Sequence, residues 1–80
     1  MQPSTYRLQC LQALRTFIDE ASNENKLELI LAFEEIEAPT EAQQALGADL
    51  YAAIERIAVH NQHDDQFLQS LLPLTQSHAE

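Results

Sequence analysis

The polar interval AVHNQHDDQFL, residues 58–68, gathers the side chains in this chain that are best suited to metal binding or proton transfer. His60 and His63 are three residues apart, and His60 and Asp64 are four apart. On one continuous helix, these spacings would place all three side chains on the same face, within reach of one metal ion. A closed structural zinc site needs a fourth ligand, which would have to come from a tertiary contact. Metal binding by these three residues is therefore one hypothesis for this chain.

The same interval also has the features of a connection between two helices, because the apolar patterns on its two sides belong to different amphipathic segments. In this interpretation His60 stabilises the C-terminal end of one helix, and Asn61 and Gln62 form a turn. Asp64 or Asp65 then caps the helix that follows. We predict this connection, with metal binding kept as the alternative.

Other residue types that carry out chemistry are present without the neighbours that catalysis needs. Cys10 lies between Tyr6 and Leu14 on an apolar stripe, where a thiol behaves as a small hydrophobic group. No serine has the sequence context of a nucleophile elbow, and no glycine-rich loop could cradle a phosphate. Glu34 and Glu35 point in different directions on a helix. We therefore predict a protein that is not an enzyme and that uses no cofactor.

The elements that must position these residues are helices. The chain has 80 residues, of which 45% are hydrophobic, with one glycine and three prolines. This composition favours helix, and β-branched residues are too scattered to supply a sheet. We predict a single all-α domain over residues 1–80, a small three- or four-helix bundle. A chain of this length buries a modest core, so a homodimer is a further possibility.

Hydrophobic periodicity, together with capping and helix-breaking residues, divides the chain into four predicted helices. Ser22 or Asn23 is suited to cap the second helix, and Thr40 with Gln43 has the spacing of a capping box for the third. Gly47 would lie inside this third helix, either allowing a close approach of a neighbour or merely tolerated there. The predicted helices span approximately residues 5–21, 25–37, 40–60 and 65–75. The tail, residues 76–80, is predicted to be frayed.

The second predicted helix is unusual because its apolar residues fall on two sides. One stripe consists of Leu29, Ala32, Phe33 and Ile36. The other is bordered by glutamates, so it could face either another helix of the same chain or a partner protein. We predict a partner-binding surface formed by Leu27, Ile30, Leu31, Glu28, Glu34 and Glu35.

Charge is distributed unevenly along the chain, whose formal net charge is -9. Residues 19–41 hold eight of the 13 acidic residues, with Lys26 as their only basic residue. Such a surface repels nucleic acid and anionic membranes and attracts a basic protein surface. We therefore predict a small protein that binds another protein, as an adaptor, a chaperone, an inhibitor, or an antitoxin or immunity factor.

The same sequence data also bear on the location of the protein. A lone cysteine cannot form an internal disulfide, and the first residues lack the basic start and apolar run of a secretory signal. No apolar run approaches the roughly 20 residues that a membrane span needs. We expect a cytoplasmic protein that does not enter a membrane.

Residues 27–39, LELILAFEEIEAP, resemble the second helix and the following segment of acyl carrier proteins, which are also small, acidic and helical. That family carries phosphopantetheine on the serine of an Asp-Ser-Leu motif just ahead of this helix. Here the corresponding stretch reads ASNENK, and Ser22 has neither neighbour of that motif. The similarity covers 13 residues and lacks the prosthetic serine, so we assign no family from it.

Overall fold

The computed structural model describes residues 3–76, and over this range the chain forms five α-helices and no strand. The all-α prediction is therefore confirmed, whereas the count of three or four helices is wrong. Of the predicted frayed tail, residues 77–80 lie outside the described range. The helices are α1 (Pro3–Asp19), α2 (Asn23–Phe33), α3 (Pro39–Leu46), α4 (Ala48–Ala58) and α5 (Asp65–Gln76). None of these helices is long and apolar enough to cross a membrane.

Helix α1 is the element around which the core is arranged, and it packs against α2, α3 and α5. Its apolar residues recur at intervals of three and four, which places them on one face of the helix. Tyr6, Cys10, Leu14 and Phe17 on that face are almost completely buried, as predicted. The remaining buried hydrophobic side chains are Leu11, Leu29, Ala42, Leu46, Leu50, Ala53, Ile54, Ile57, Leu68 and Leu71.

Helix α2 begins at Asn23, two residues before the predicted start, and it ends about one turn early. The Ser22 hydroxyl oxygen accepts a hydrogen bond from the Asn25 backbone N–H at 3.1 Å, so Ser22 is the N-cap. The helix was predicted to continue to Glu37, yet it stops at Phe33. Tyr6 of α1 donates its hydroxyl proton to the Phe33 carbonyl oxygen at 2.6 Å. This tertiary bond satisfies a carbonyl that an additional helical turn would otherwise bond, and it fixes α2 to α1.

The third predicted helix, residues 40–60, is in fact two helices separated by Gly47. This residue has φ 85° and ψ 157°, a conformation open essentially to glycine alone. The predicted cap is also wrong, because α3 starts at Pro39 with Ala38 as its N-cap and no side-chain cap bond. Proline suits the first helical position since its missing N–H needs no partner there. Thr40 is thus already inside α3, and the predicted capping box does not form.

Replacing Gly47 by alanine should lower the free energy of unfolding by about 1–3 kcal/mol, because the backbone at this position is costly for any L-residue. A Cβ atom at residue 47 would have no heavy atom within 4 Å, so the expected cost is conformational and not steric. Urea unfolding followed by circular dichroism would measure it. The matched control is Gln44→Ala at an exposed position of α3, for which we expect a change within about 0.5 kcal/mol. Equal stability of the two variants would contradict the conformational role.

Helix α5 closes the fold over α1. Asp64 accepts a hydrogen bond from the Phe67 backbone N–H at 3.2 Å, which confirms the predicted cap. Leu68 and Leu71 enter the core, and the helix continues through Pro73 to Gln76. The predicted span of residues 65–75 therefore holds at both ends within the described range.

Candidate functional site

The outer face of α2 exposes two large apolar side chains. Leu27 is 56% exposed and Leu31 is 57% exposed, whereas Leu29 between them is completely buried. The two exposed leucines are four residues apart, so they lie side by side on successive turns. Ile30 is half-buried beside them. The three apolar residues that sequence analysis assigned to a partner-binding surface therefore remain at least partly accessible in the single chain.

The other apolar stripe of α2 faces the core. Leu29 is its buried centre, and Ala32, Phe33 and Ile36 pack against the core while remaining partly accessible. Among the described residues, both stripes do not lie inside the bundle, because Leu27 and Leu31 of the second stripe are more than half exposed. Helix α2 is consequently a peripheral helix, and residues 3–76 cover its second stripe only in part.

Acidic side chains surround the exposed leucines. Glu28, Glu34 and Glu35 are all exposed, as a charged rim requires. Glu24, also exposed, precedes Leu27 by three residues and belongs to the same rim, although the sequence analysis did not assign it there. We call Leu27, Ile30, Leu31 and these four glutamates the α2 face. It presents an apolar centre within a negatively charged border.

The one basic residue of α2 lies on the side of the helix toward α4. Lys26 donates a hydrogen bond from its ammonium group to the side-chain carbonyl oxygen of Asn61, in the loop between α4 and α5. Asn61 has φ 56°, a left-handed conformation that asparagine tolerates better than most residues. The Lys26 ammonium group, which could neutralise the α2 face, therefore lies near the end of α4.

A groove lies next to the α2 face, where α2 ends and the chain turns toward α3. Its cavity volume is about 520 Å³. The apolar part of its lining comes from Phe33, Ile36, Pro39, Ala42, Tyr51, Ala58 and Val59, and the acidic part from Glu34 and Glu37. The Phe33 and Tyr51 rings pack at 5.4 Å between centroids. We call this feature the α2–α4 groove. Sequence reasoning missed it because its walls come from segments far apart in the chain.

The histidine-rich interval has the structure of a connection. Asp64 caps α5, and the His63 ring meets the Phe17 ring edge-on, with 6.0 Å between centroids and an interplanar angle of 84°. His60 is exposed just after the end of α4. Among residues 3–76, no group of three histidine, cysteine, aspartate or glutamate side chains is placed to hold a metal ion. His60, His63 and Asp64 are thus not brought together as three ligands of one metal.

Tyr6 and Cys10 form a buried polar pair inside α1, both with no exposed surface. Burial raises the pKa of the Cys10 thiol to about 11, although the hydrogen bond with Tyr6 acts in the opposite direction. Burial also raises the pKa of the Tyr6 hydroxyl well above its usual range, with a further contribution from Cys10. A thiol kept protonated and buried is a poor nucleophile. This pair therefore contributes to the core and offers no site for catalysis.

Comparisons with known proteins identify no relative from which a function could be inferred. A scan against protein-family models, a search of curated proteins and a search of solved structures each found no match to this chain. Ser22, the serine nearest to the prosthetic position of acyl carrier proteins, has its hydroxyl engaged as the cap of α2. The α2 face and the adjoining groove are consequently the features from which a function can be inferred.

Proposed function

We propose that this chain is a non-enzymatic binding protein whose α2 face holds a basic surface of another protein. The observation that carries the proposal is the exposure of Leu27 and Leu31, which are 56% and 57% accessible on successive turns of one helix. Single exposed apolar residues are common on protein surfaces, whereas a contiguous apolar patch with a polar border is typical of an interaction site. Their burial by a partner would supply binding free energy.

The acidic border supports a basic partner over a neutral or acidic one. Glu24 and Glu28 lie on the same helix as the exposed leucines, and the net charge of -9 adds a long-range attraction for cations. Such charges raise the association rate and penalise acidic competitors more than they raise affinity. The leucines would thus contribute binding free energy while the glutamates select the partner.

A second copy of this chain is a poorer occupant of the α2 face than a different protein. In a symmetric homodimer through this face, the glutamates of both copies would approach one another, and like charges at an interface are unfavourable. We therefore place the predicted homodimer behind a heteromeric complex. An adaptor, a chaperone, an inhibitor, and an antitoxin or immunity factor all fit this description, in the cytoplasm where the lone thiol would stay reduced.

The proposal is tested by comparing charge-introducing variants of equally exposed leucines. Leu27→Glu and Leu31→Glu should each weaken binding of the partner at least tenfold, because a carboxylate would be buried at the apolar centre. The matched control is Leu8→Glu on α1, where the leucine is 53% exposed and far from the α2 face in sequence. The partner should be one that the wild-type chain retains from cells of origin, and calorimetry of the purified partner with each variant would give the affinities.

Two outcomes of this experiment would contradict the proposal. One is a partner that binds Leu27→Glu and Leu31→Glu as tightly as it binds the wild-type chain. The other is an equal loss of binding in Leu8→Glu, which would assign the effect to charge alone. Circular dichroism of all three variants should match the wild-type spectrum, since each side chain is more than half exposed. Light scattering of the isolated chain would separately show any self-association.

A further inference from the structure

The α2 face by itself is too small to hold a partner firmly. Burying a whole leucine side chain is worth about 1.5–3 kcal/mol, and roughly half of Leu27 and of Leu31 is already covered in the free chain. The remaining burial, even with Ile30, is worth a few kcal/mol at most. Association costs at least about 4 kcal/mol in lost rigid-body freedom. A partner that binds through the α2 face must therefore contact further apolar surface.

The α2–α4 groove is a concavity with a mixed polar and apolar lining that adjoins the α2 face. Glu34 belongs to both features, since it borders Leu31 and also lines the groove. Val59, on the opposite wall, is 63% exposed, the largest accessible fraction among the exposed large apolar side chains of the described residues. A partner lying along α2 would meet this groove without leaving the protein surface.

The directions of α2 and α4 set the length of the combined site. Lys26 at the start of α2 bonds Asn61 just beyond the end of α4, and Phe33 at the end of α2 packs on Tyr51 near the start of α4. The two helices therefore run antiparallel. From Leu27 to Phe33 the helix rises about 9 Å, at about 1.5 Å per residue. Because Val59 at the end of α4 lies toward the start of α2, the groove runs alongside α2, and the combined site is about two helical turns long.

A helix suits this site better than an extended peptide. Residues 3–76 contain no strand, so an extended segment would find no sheet edge for its backbone N–H and C=O groups. A helix satisfies those groups internally, and its ridges of residues four apart can pack beside the ridge of Leu27 and Leu31. The acidic residues on both sides, including Glu34 and Glu37 at the groove, require cations on its flanks.

We propose that the α2 face and the α2–α4 groove form one continuous site for a cationic amphipathic helix of the partner, which contacts the site over about two turns. Its apolar stripe covers Leu27 and Leu31, one bulky apolar side chain enters the groove beside Val59, and lysine or arginine side chains approach Glu34 and Glu37. This inference rests on the proposed function and adds the class of segment that the partner presents.

A synthetic peptide is the direct probe of this site. The test peptide has about 14 residues, built from leucine and lysine with all leucines on one helical face. One control peptide has the same composition with the leucines distributed around the helix, and a second has glutamate in place of lysine. Both controls should bind at least tenfold more weakly than the test peptide. In NMR spectra of the full chain, the test peptide should shift the signals of Leu27, Leu31, Tyr51 and Val59 together.

Variants of the full chain separate this inference from the proposed function. Val59→Lys places a cation at the groove and should weaken binding of the test peptide at least tenfold, as should Leu31→Lys. Leu8→Lys on α1 is the matched control and should leave the affinity unchanged apart from a small general charge effect. Both Leu8 and Val59 are more than half exposed, so neither substitution should disturb the fold.

Each remaining result would overturn one of the two ideas. If Leu31→Lys weakens binding of the test peptide and Val59→Lys does not, the groove is not part of the site. The α2 face would then remain the proposed binding surface. Equal affinity for the two leucine–lysine peptides would mean attraction by charge alone, and absence of binding would exclude this class of segment. Peptide binding that neither variant weakens would remove the α2 face as well.

Discussion

Leu29→Ala should lower the free energy of unfolding by about 2–5 kcal/mol, the range seen when a fully buried leucine is truncated. Leu29 has no exposed surface and is the one fully buried residue of α2. A domain of this length has a total stability of roughly 4–12 kcal/mol, so the variant should lose a large part of it. Urea unfolding monitored by circular dichroism would measure the change.

The same substitution at the exposed leucines gives the matched controls. Leu27→Ala and Leu31→Ala should each change the free energy of unfolding by about 0.5 kcal/mol or less, since water already reaches more than half of each side chain. If Leu29→Ala does not fold, Leu29→Met nearly conserves volume and should cost under about 1.5 kcal/mol. A large loss of stability in Leu27→Ala or Leu31→Ala would mean that these leucines are covered in solution, and it would contradict a free α2 face.

Local patterns predicted the features that depend on neighbours in the chain. The apolar stripe of α1 and the caps at Ser22 and Asp64 each follow from a few adjacent residue types, and the structure contains all of them. The two stripes of α2 were also visible in the sequence. Whether the second stripe is covered by another helix of the same chain was not, because hydrophobic periodicity shows that two faces are apolar without showing which neighbours lie beside them.

Features that depend on tertiary contacts or on backbone dihedrals were missed. Helix α2 ends at Phe33, whose carbonyl oxygen accepts a hydrogen bond from the Tyr6 hydroxyl of α1, and this contact could not be predicted from the local sequence. Gly47 costs about 1 kcal/mol within a helix, a penalty small enough that sequence alone could not distinguish tolerance from a break. The α2–α4 groove depends on both features, since the early end of α2 and the separate α4 form its walls.

Raising the pH from 8 to 11 should lower the free energy of unfolding by about 2 kcal/mol through Cys10 alone. The pKa of its thiol is 9.0 when unperturbed and about 11 in the fold. A folded pKa above the unfolded one means that the stabilisation is complete below pH 9 and is lost as the pH rises toward 11. Tyr6 acts in the same direction, because burial raises its pKa above the usual 10.0, and it should add about 1 kcal/mol of loss by pH 11.

The slope of the free energy of unfolding against pH distinguishes the contribution of Cys10 and Tyr6 from that of the other titratable groups. Urea unfolding at pH 8, 9, 10 and 11 would give the slope for the wild-type chain and for Cys10→Ala. The variant creates a cavity and so starts from a lower stability at pH 8, but between pH 8 and 11 it should lose about 2 kcal/mol less than the wild type. Tyr6→Phe removes the hydroxyl that bonds the Phe33 carbonyl and should flatten the slope above pH 10. Identical slopes in all three proteins would contradict the assignment, because the alkaline loss of stability would then come from other groups of this acidic chain.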